Sequence, residues 1–385
     1  MTVYVIATLL ACFAAWMADH DHARRKVWMV ASVLPLALVA AVRWGVGTDV
    51  DFLYLPQFRA VEWMYGGQSP ELSEQLFRPL FEKASRCAFV GQPCDAAAVF
   101  LRNFNLEEIG YRWLVQGIVF CGGSFRWFIA ITSIITAILV FVAIWRQSRW
   151  PVMAVYFYVA TSNYFLTLNI VRQYIAIGFV LVALSFALDR LPWKFLLLVA
   201  IGALFHRTAL IVLPCCFLAR INVSPFWGGG AILLAVAFSF IAEPVLRFVL
   251  PYVGAGFYVR YFDSHFAVDG FEWFFFLINI CFMAMGCWYW KRAIRANALF
   301  RCWYWMTVAG TVALSFSATV PLMKRINYYF AAPQFLMLPE MLLAEENVRV
   351  RRWLVALSIL AFAAETAVAV FWLNKNEPLP YRIRP

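Results

Sequence analysis

Long apolar runs separated by short polar turns dominate the hydropathy pattern of this 385-residue chain. An α-helix needs about 20 apolar residues to cross a hydrocarbon core about 30 Å thick. The lengths of the runs therefore predict about ten membrane-spanning helices, and an even number of crossings puts both termini on one side. The predicted crossings are residues 1–18, 27–43, 127–145, 150–168, 173–188, 229–249, 271–290, 302–319, 327–343 and 353–373.

The composition supports this assignment. Apolar residues make up 64% of the chain and charged residues 14%, with a mean hydropathy of +0.75. Soluble domains contain about 45–50% apolar and about 25% charged residues, and a membrane β-barrel would show alternating strands of roughly ten residues. We therefore predict an all-α polytopic membrane protein, with residues 1–385 forming a single integral membrane domain.

The basic residues predict the orientation. The net charge is +11, and because Lys and Arg gather in cytoplasmic turns of membrane proteins, this excess does not indicate a nucleic-acid partner. The first apolar run is followed, not preceded, by its positive charges ("DHDHARRK"), which favours an uncleaved helix over a signal peptide. Both termini are predicted outside, although Lys375, Arg382 and Arg384 in the tail argue weakly against this. The turns predicted inside are 19–26, 146–150, 189–194, 219–228, 291–301 and 344–352.

Two apolar segments do not fit ordinary crossings. Residues 106–120 are amphipathic and begin with two glutamates. Residues 195–219 are interrupted by His206 and Arg207, and they must return to their starting side if the flanking turns are both inside. We predict two short helices with "FHRT" at the outer apex. The alternative is one tilted helix of 25 residues, which would reverse part of the topology.

Residues 44–105 form the one long hydrophilic stretch and are predicted to be an external loop with short helices. Cys87 and Cys94 flank a Gly-Gln-Pro turn within it. In an oxidising compartment this spacing can close a disulfide, and the alternative is two unrelated thiols. The other cysteines lie in or beside apolar segments, where packing explains them.

Ionisable residues beside apolar helices are costly and mark candidate sites. Those on the predicted inner side are explained by topology, but those on the outer side are not. Each outer residue also has an ordinary explanation: arginine snorkels to headgroups, tyrosine joins the aromatic belt, and glutamate favours a helix N-terminus. The outer set is Arg43, Asp49, Asp51, Glu107, Glu108, Arg172, His206, Arg207, Arg260, Asp263, His265, Lys324 and Arg325.

The chemistry of this set indicates a ligand. Guanidinium groups suit phosphate oxygens, and a carboxylate or imidazole can act as a general base. A lipid-linked pyrophosphate that carries a polar group would use both at the membrane boundary.

Five motifs occur in the order found in one family: "VRWGVGTDVDFLYLPQF", "EIGYRWL", "NIVRQYIAIG", "LFHRTALIVLP" and "RINYYF". With these motifs, from about residue 43 to about residue 340, the chain resembles EpsG-like proteins among the Wzy-type polysaccharide polymerases. The stretch 66–105 and its cysteine pair are not part of that pattern.

This resemblance implies a GT-C-like helical glycosyltransferase in the bacterial inner membrane. It would join undecaprenyl-pyrophosphate-linked oligosaccharides, as donor and acceptor, on the periplasmic face, with inversion and without a metal or other cofactor. Membrane lipids are expected partners, and a chain-length regulator is a candidate partner. The expected pyrophosphate and sugar ligands are Arg43, Arg172, Gln173, Arg207, Arg260, Arg325 and Tyr328. His206 and Asp49 are the candidate bases, with Glu108 third.

Three other functions stay open at this point. A lipid-linked polysaccharide ligase would use the same donor with another acceptor. A transporter or flippase for lipid-linked sugars should show internal repeats with matched broken helices, and neither the Gly-Thr-Asp nor the His-Arg-Thr motif recurs. A structural subunit of a secretion complex would not need the outer arginines.

Overall fold

The computed structural model describes residues 1–65, 78, 106–189, 192–220, 222–252, 259, 262 and 270–383. Every regular element in these ranges is helical, apart from an isolated bridge between Trp44 and Arg382. The predicted helical membrane architecture is therefore confirmed for this part of the chain. The α-helices, numbered here in order, are α1 (Thr2–His20), α2 (Arg25–Ala41), α3 (Leu55–Tyr65), α4 (Ile109–Phe120), α5 (Phe125–Gln147), α6 (Pro151–Ala160), α7 (Asn163–Asn169), α8 (Val171–Leu184), α9 (Trp193–Phe205), α10 (Cys215–Leu218), α11 (Trp227–Tyr252), α12 (Trp273–Ala296), α13 (Phe300–Ser315), α14 (Met323–Ala331), α15 (Gln334–Leu343) and α16 (Val348–Thr366).

Five helical stretches in the described ranges are long and apolar enough to cross a membrane on their own. They are α1, α5, α11, α12 and the segment Val348–Trp372, which contains α16 and a following π-helix, Ala367–Trp372. Each coincides with a predicted crossing. Three of the other predicted crossings contain one shorter helix, namely α2, α8 or α13.

The two remaining crossings are broken helices, whereas the hydropathy pattern suggested continuous ones. Residues 150–168 form α6 and α7, which are separated at Thr161 and Ser162, and Ser162 has a left-handed backbone with φ 61°. Residues 327–343 belong to α14 and α15, which are separated at Ala332 and Pro333. Proline has no N–H to continue a helical hydrogen-bond ladder, so it favours the start of a new helix. Both breaks face one cavity.

Residues 193–220 turn back on themselves. Helix α9 ends where the backbone of His206 becomes extended (φ −157°), and a 3₁₀-helix, Arg207–Val212, follows. At the far end, the guanidinium of Arg220 donates to the carbonyl oxygens of Ala187 and Asp189, just before α9 begins. The predicted pair of short helices is therefore the observed form, and the single tilted helix is wrong.

Side-chain contacts bring the six basic turns together at one end of the bundle, here called the basic end. The backbone N–H of Val152 donates to Asp19, and Asn297 donates to the carbonyl of Gln147. Arg149 contacts Glu340 at the end of α15, and Arg146 donates to Ser185 at the end of α8. The grouping of these turns, predicted from their charges, is confirmed.

The chain termini meet at the opposite end, here called the terminal end. The hydroxyl of Tyr4 donates to the carbonyl oxygen of Pro378 over 2.9 Å, and the N–H of Trp44 donates to that of Arg382 over 2.8 Å. Two buried clusters underlie this arrangement. A large one runs through the bundle, and a smaller one joins α3, α4 and the start of α5 through Phe58, Tyr111 and Phe128. The smaller cluster attaches α4 to the bundle and so positions the glutamate that precedes it.

Candidate functional site

Glu108 lies at the centre of a buried polar group at the terminal end. It occupies the N-cap of α4 but makes no capping hydrogen bond to the helix, so its carboxylate is available to other elements. One carboxylate oxygen, Oε2, accepts a hydrogen bond from Nη1 of Arg172 at 2.9 Å. The other, Oε1, lies 3.3 Å from Nδ1 of His206. The carboxylate thus joins α4, α8 and the apex of the 193–220 hairpin.

This contact determines the hydrogen-bonding state of His206. An ionised carboxylate only accepts hydrogen bonds, so Nδ1 must carry the proton that faces Glu108. In the neutral imidazole, Nε2 is then a hydrogen-bond acceptor. Among the described residues Nε2 has no protein partner, and the side chain is 18% exposed. A ligand at the terminal end can therefore meet a correctly oriented imidazole nitrogen.

The surroundings of Glu108 keep it ionised. Burial raises the pKa of this carboxyl, but the hydrogen bond from His206 and the charge of Arg172 are among the effects that lower it by more, so the pKa lies below its usual range. A carboxylate with a lowered pKa is a weak base. We therefore interpret Glu108 as the group that orients His206 and Arg172, and its predicted role as a third candidate base has no support from this environment.

Replacing Glu108 with glutamine should destabilise the protein, because the amide cannot neutralise buried Arg172. Breaking a buried ion pair costs about 3–5 kcal/mol, and the thermal midpoint in detergent should fall clearly at pH 7. The carboxylate's contribution is present above its unfolded pKa of about 4.3 and is lost as pH falls through the lower folded pKa. The difference from wild type should therefore disappear in acid. Glu107→Gln is the matched control, since Glu107 pairs with Arg207 at an exposed position, where a pair contributes about 0–1 kcal/mol. Equal midpoints for the two variants would contradict this assignment.

Arg172 begins α8 and is almost fully buried. Its guanidinium lies over the ring of Tyr111, 5.2 Å from the centroid, in addition to its contact with Glu108. Its backbone N–H donates to the hydroxyl of Tyr54 over 3.3 Å. The sequence predicted a pyrophosphate ligand here, and the structure places the side chain in a buried network instead. These contacts favour a positioning role for Arg172.

Asp49 is presented by a tight turn that packs against the end of α7. Gly45 and Gly47 have φ values of +57° and +98°, a region that favours glycine. The backbone N–H of Asp49 donates to Oδ1 of Asn169 over 2.8 Å. Its Oδ2 lies 3.8 Å from Nη2 of Arg325. Burial raises the pKa of Asp49, and the charges of Arg325 and Arg172 only partly oppose this.

Gly47→Ala should move this turn and lower activity. A Cβ at Gly47 would lie 2.5 Å from the carbonyl oxygen of Leu168, and the left-handed backbone alone costs a non-glycine residue about 1–3 kcal/mol. Gly122→Ala is the matched control, because Gly122 has φ +71° and no heavy atom within 4 Å of the added Cβ. Thermal midpoints and activities of both variants would test this. If Gly47→Ala behaved like Gly122→Ala, the close approach would not matter.

Arg325 is the accessible guanidinium of the group. Its side chain is 43% exposed, and its contact with Asp49 is long for an ion pair. The carbonyl of Arg325 accepts a hydrogen bond from Nε2 of Gln173 over 2.6 Å, which ties the start of α14 to α8. Gln173 therefore positions the backbone of Arg325. The guanidinium itself remains able to meet a phosphate.

The remaining predicted residues lie at the edge of this group or apart from it. Arg43 is buried and donates to the hydroxyl of Ser133 and to the carbonyls of Ala40 and Leu168, so its guanidinium holds the α2–α5–α7 junction. Arg207 is largely exposed and pairs with Glu107. Tyr328 lines the cavity beside α14. Arg260, Asp263, His265, Cys87 and Cys94 lie outside the described residues, so the disulfide stays a prediction.

Sequence reasoning missed several contributors. Tyr54 meets the backbone of Arg172, and Thr208 donates to the hydroxyl of Tyr329 over 3.2 Å, which joins the hairpin apex to α14. Glu272 pairs with Lys324 at 2.7 Å. None of these has a local sequence signal, because each becomes relevant only through a partner distant in the chain. Asn169 likewise contacts Asp49 across 120 positions of the chain, a contact that no local pattern predicts.

Comparison with known proteins identifies the family of the chain. No curated protein and no solved structure matches the chain significantly. The sequence does match the EpsG family, over residues 26–383. That range covers nearly the whole chain and includes all the site residues described above. The predicted resemblance is therefore confirmed, and the chain belongs to the EpsG family.

Proposed function

We propose that the protein is a polysaccharide polymerase that joins undecaprenyl-pyrophosphate-linked oligosaccharide units at the periplasmic face of a bacterial inner membrane. Membership in the EpsG family supports a polysaccharide polymerase in general. One observation supports this specific reaction: Asp49, Arg325 and the Glu108–His206 pair lie at the terminal end of an apolar helical bundle. A lipid pyrophosphate presents its charge at such a boundary while its tail lies along the apolar surface.

The reaction is a direct displacement at the anomeric carbon of the donor chain. A hydroxyl oxygen of the acceptor unit forms a bond to that carbon as the bond between the carbon and the pyrophosphate oxygen breaks. The electron pair of the broken bond leaves with undecaprenyl pyrophosphate. The hydroxyl proton passes to a base of the protein, and attack from the opposite face inverts the configuration.

Arg325 is the proposed ligand of the pyrophosphate. Charge develops on the leaving oxygen in the transition state, and a preorganised donor at that point stabilises it. Arg325 has the exposure that this role needs, whereas Arg172 does not. We assign Arg172 and Gln173 to positioning, and Arg207 to an outer contact with the sugars or phosphates.

Asp49 is the proposed base. An efficient base has a pKa raised toward the working pH, and burial raises the pKa of Asp49 whereas the partners of Glu108 lower that of Glu108. Asp49 also lies next to Arg325, so proton acceptor and phosphate ligand are adjacent. Nε2 of His206 would then accept a hydrogen bond from a substrate hydroxyl. In an alternative mechanism, Nε2 of His206 is the base. The orientation that Glu108 imposes on the imidazole supports this alternative.

Purified protein in lipid vesicles, supplied with lipid-linked repeat units, tests the proposal. We expect a ladder of products that differ by one repeat unit. Transfer of a finished chain to a different acceptor, without a ladder, would indicate a ligase. Movement of intact units between leaflets, again without a ladder, would indicate a flippase. Either of those results would overturn the polymerase assignment.

A further inference from the structure

Three irregular points in the helices meet between the two ends of the bundle. They are the break between α6 and α7 at Thr161 and Ser162, the break between α14 and α15 at Ala332, and the change from α-helix to π-helix after Thr366. Irregular backbone inside a membrane domain is tolerated where it lines a cavity or lies within protein. π-Helical turns occur frequently at functional sites.

A cavity of about 250 Å³ lies where these points meet. Residues from both breaks and from the end of α16 line it, including Ser162, Asn163, Gln334, Asn327 and Glu365. Pockets for drug-sized ligands measure roughly 300–1,000 Å³. This cavity is smaller, and its size matches a single sugar ring rather than a lipid or an oligosaccharide.

Three amide side chains form a directed relay along the wall of the cavity. Nε2 of Gln334 donates to Oδ1 of Asn279 over 2.7 Å, and Nδ2 of Asn279 donates to Oδ1 of Asn327 over 3.1 Å. The relay ends at Nδ2 of Asn327, which has no hydrogen-bond partner among the described residues although the side chain is fully buried. A buried donor without a partner is costly, so this nitrogen requires an acceptor from a ligand or from water.

Glu365 supplies the complementary group. It lines the same cavity from the end of α16, and its Oε2 likewise has no partner within the described part of the chain. The cavity therefore offers an unpaired amide donor, an unpaired carboxylate oxygen and the hydroxyl of Ser162, which likewise has no partner among the described residues. A hydroxyl group both donates and accepts hydrogen bonds, and a ligand with several hydroxyl groups could satisfy these atoms.

The rim of the cavity excludes strongly charged ligands. Nζ atoms of Lys324 and Lys375 both lie over the ring of Phe275, at 5.2 and 5.9 Å from its centroid. These ammonium groups disfavour a cation, and Glu365 disfavours a phosphate in the interior. Phe274, Phe275 and Phe282 line the cavity and give it an apolar side beside the polar wall. The combination of apolar ring faces and hydroxyl-binding groups is suited to a neutral sugar.

We propose that this cavity is the acceptor subsite, which binds the terminal sugar residue of the unit that receives the growing chain. The assignment rests on the proposed polymerase function. The cavity is connected to the reacting groups. Asn376 lines it and accepts a hydrogen bond at Oδ1 from Nδ2 of Asn169 over 3.3 Å, while Oδ1 of the same Asn169 holds the backbone of Asp49. Asn376 and Asn169 thus link the wall of the cavity to the backbone of the proposed base.

Two probes separate the acceptor subsite from the pyrophosphate site. The first is the lipid-free repeat-unit oligosaccharide, released from lipid-linked units of the producing bacterium. The second is undecaprenyl pyrophosphate alone. Binding of each is measured on purified full-length protein in detergent. Glu365→Gln keeps the side-chain shape and removes the acceptor charge, and Ala331→Leu fills the cavity without removing a hydrogen bond.

Glu365→Gln should bind the free oligosaccharide at least roughly tenfold more weakly, the loss expected for one hydrogen bond to a charged group. Ala331→Leu should also bind it more weakly, because the added side chain occupies the space of the sugar ring. The affinity of both variants for undecaprenyl pyrophosphate should match that of wild type. Glu243→Gln is the matched control, because Glu243 lies on α11 and pairs with Arg247 away from the cavity. It should bind both probes normally.

Other outcomes overturn the proposal. Wild-type protein that does not bind the oligosaccharide, or variants that bind it normally, would exclude an acceptor subsite here. Equal loss of both probes would show that the cavity is not a separate subsite. The ladder assay distinguishes this failure from that of the proposed function: a wild-type ladder with unaffected cavity variants removes only the subsite, whereas oligosaccharide binding without a ladder removes the polymerase assignment.

Discussion

Asp49→Asn is expected to lower the rate of chain extension by about 10²–10⁴-fold, the usual contribution of a general base. Asparagine has nearly the same shape and can keep the contact with Arg325, but it cannot take the acceptor proton. The wild-type rate should fall as pH falls through the pKa of Asp49, which lies above the ordinary value of about 3.9. Steady-state rates from the ladder assay, measured across pH, test both statements.

The same substitution should preserve or raise stability, in contrast to Glu108→Gln. A carboxyl group whose pKa is raised by folding binds its proton more tightly in the folded state. Its effect on stability therefore becomes less favourable as pH rises through that pKa. At pH 7 asparagine removes this penalty, so the thermal midpoint should not fall. Asp51→Asn is the control, since Asp51 is exposed two residues away. If Asp49→Asn extended chains at the wild-type rate, His206 would be the base instead.

Arg325→Ala is expected to reduce chain extension by about 10²–10³-fold, the loss typical when one preorganised donor to a developing negative charge is removed. Arg325→Lys should recover only part of the rate, because an ammonium group lacks the planar fork of guanidinium. The affinity for undecaprenyl pyrophosphate should fall in the alanine variant. Product ladders and binding of that lipid provide the two measurements.

Arg59→Ala is the matched control for Arg325. Its side chain is 40% exposed, close to the 43% of Arg325, and it pairs with Glu62 on the surface of α3. This variant should extend chains at the wild-type rate. If Arg325→Ala kept full activity, the proposed pyrophosphate ligand would be wrong and Arg207 would be the next guanidinium to examine.

Residue type and topology predict the site candidates Asp49, Glu108, His206 and Arg325, because charges on the predicted outer side have no topological explanation. The structure places Glu108 beside His206 and Asp49 beside Arg325. Their pairings were not predictable. The Glu108–His206 contact spans 98 positions in the chain, and no periodicity reports on a contact of that separation.

The role of Arg172 shows most clearly what the sequence does not reveal. In the sequence it resembles Arg325, since each lies in the first turn of a helix on the predicted outer side. Only packing distinguishes them: Arg172 is covered by Tyr111 and paired with Glu108, while Arg325 stays accessible. Arg43 differs for the same reason, because the carbonyls that it contacts come from α2 and α7.

By itself the sequence determined the helical membrane class, the grouping of the basic turns and the membership of most of the polar site, because hydropathy and charge act locally along the chain. Only the tertiary structure decided where two of the predicted crossings break, and that both breaks and Glu365 enclose one cavity. Breaking a helix raises the free energy of the chain locally, and polar groups on other helices offset that cost. The sequence alone therefore does not show that Asn327 and Glu365 share a cavity, whereas the packing of the bundle does.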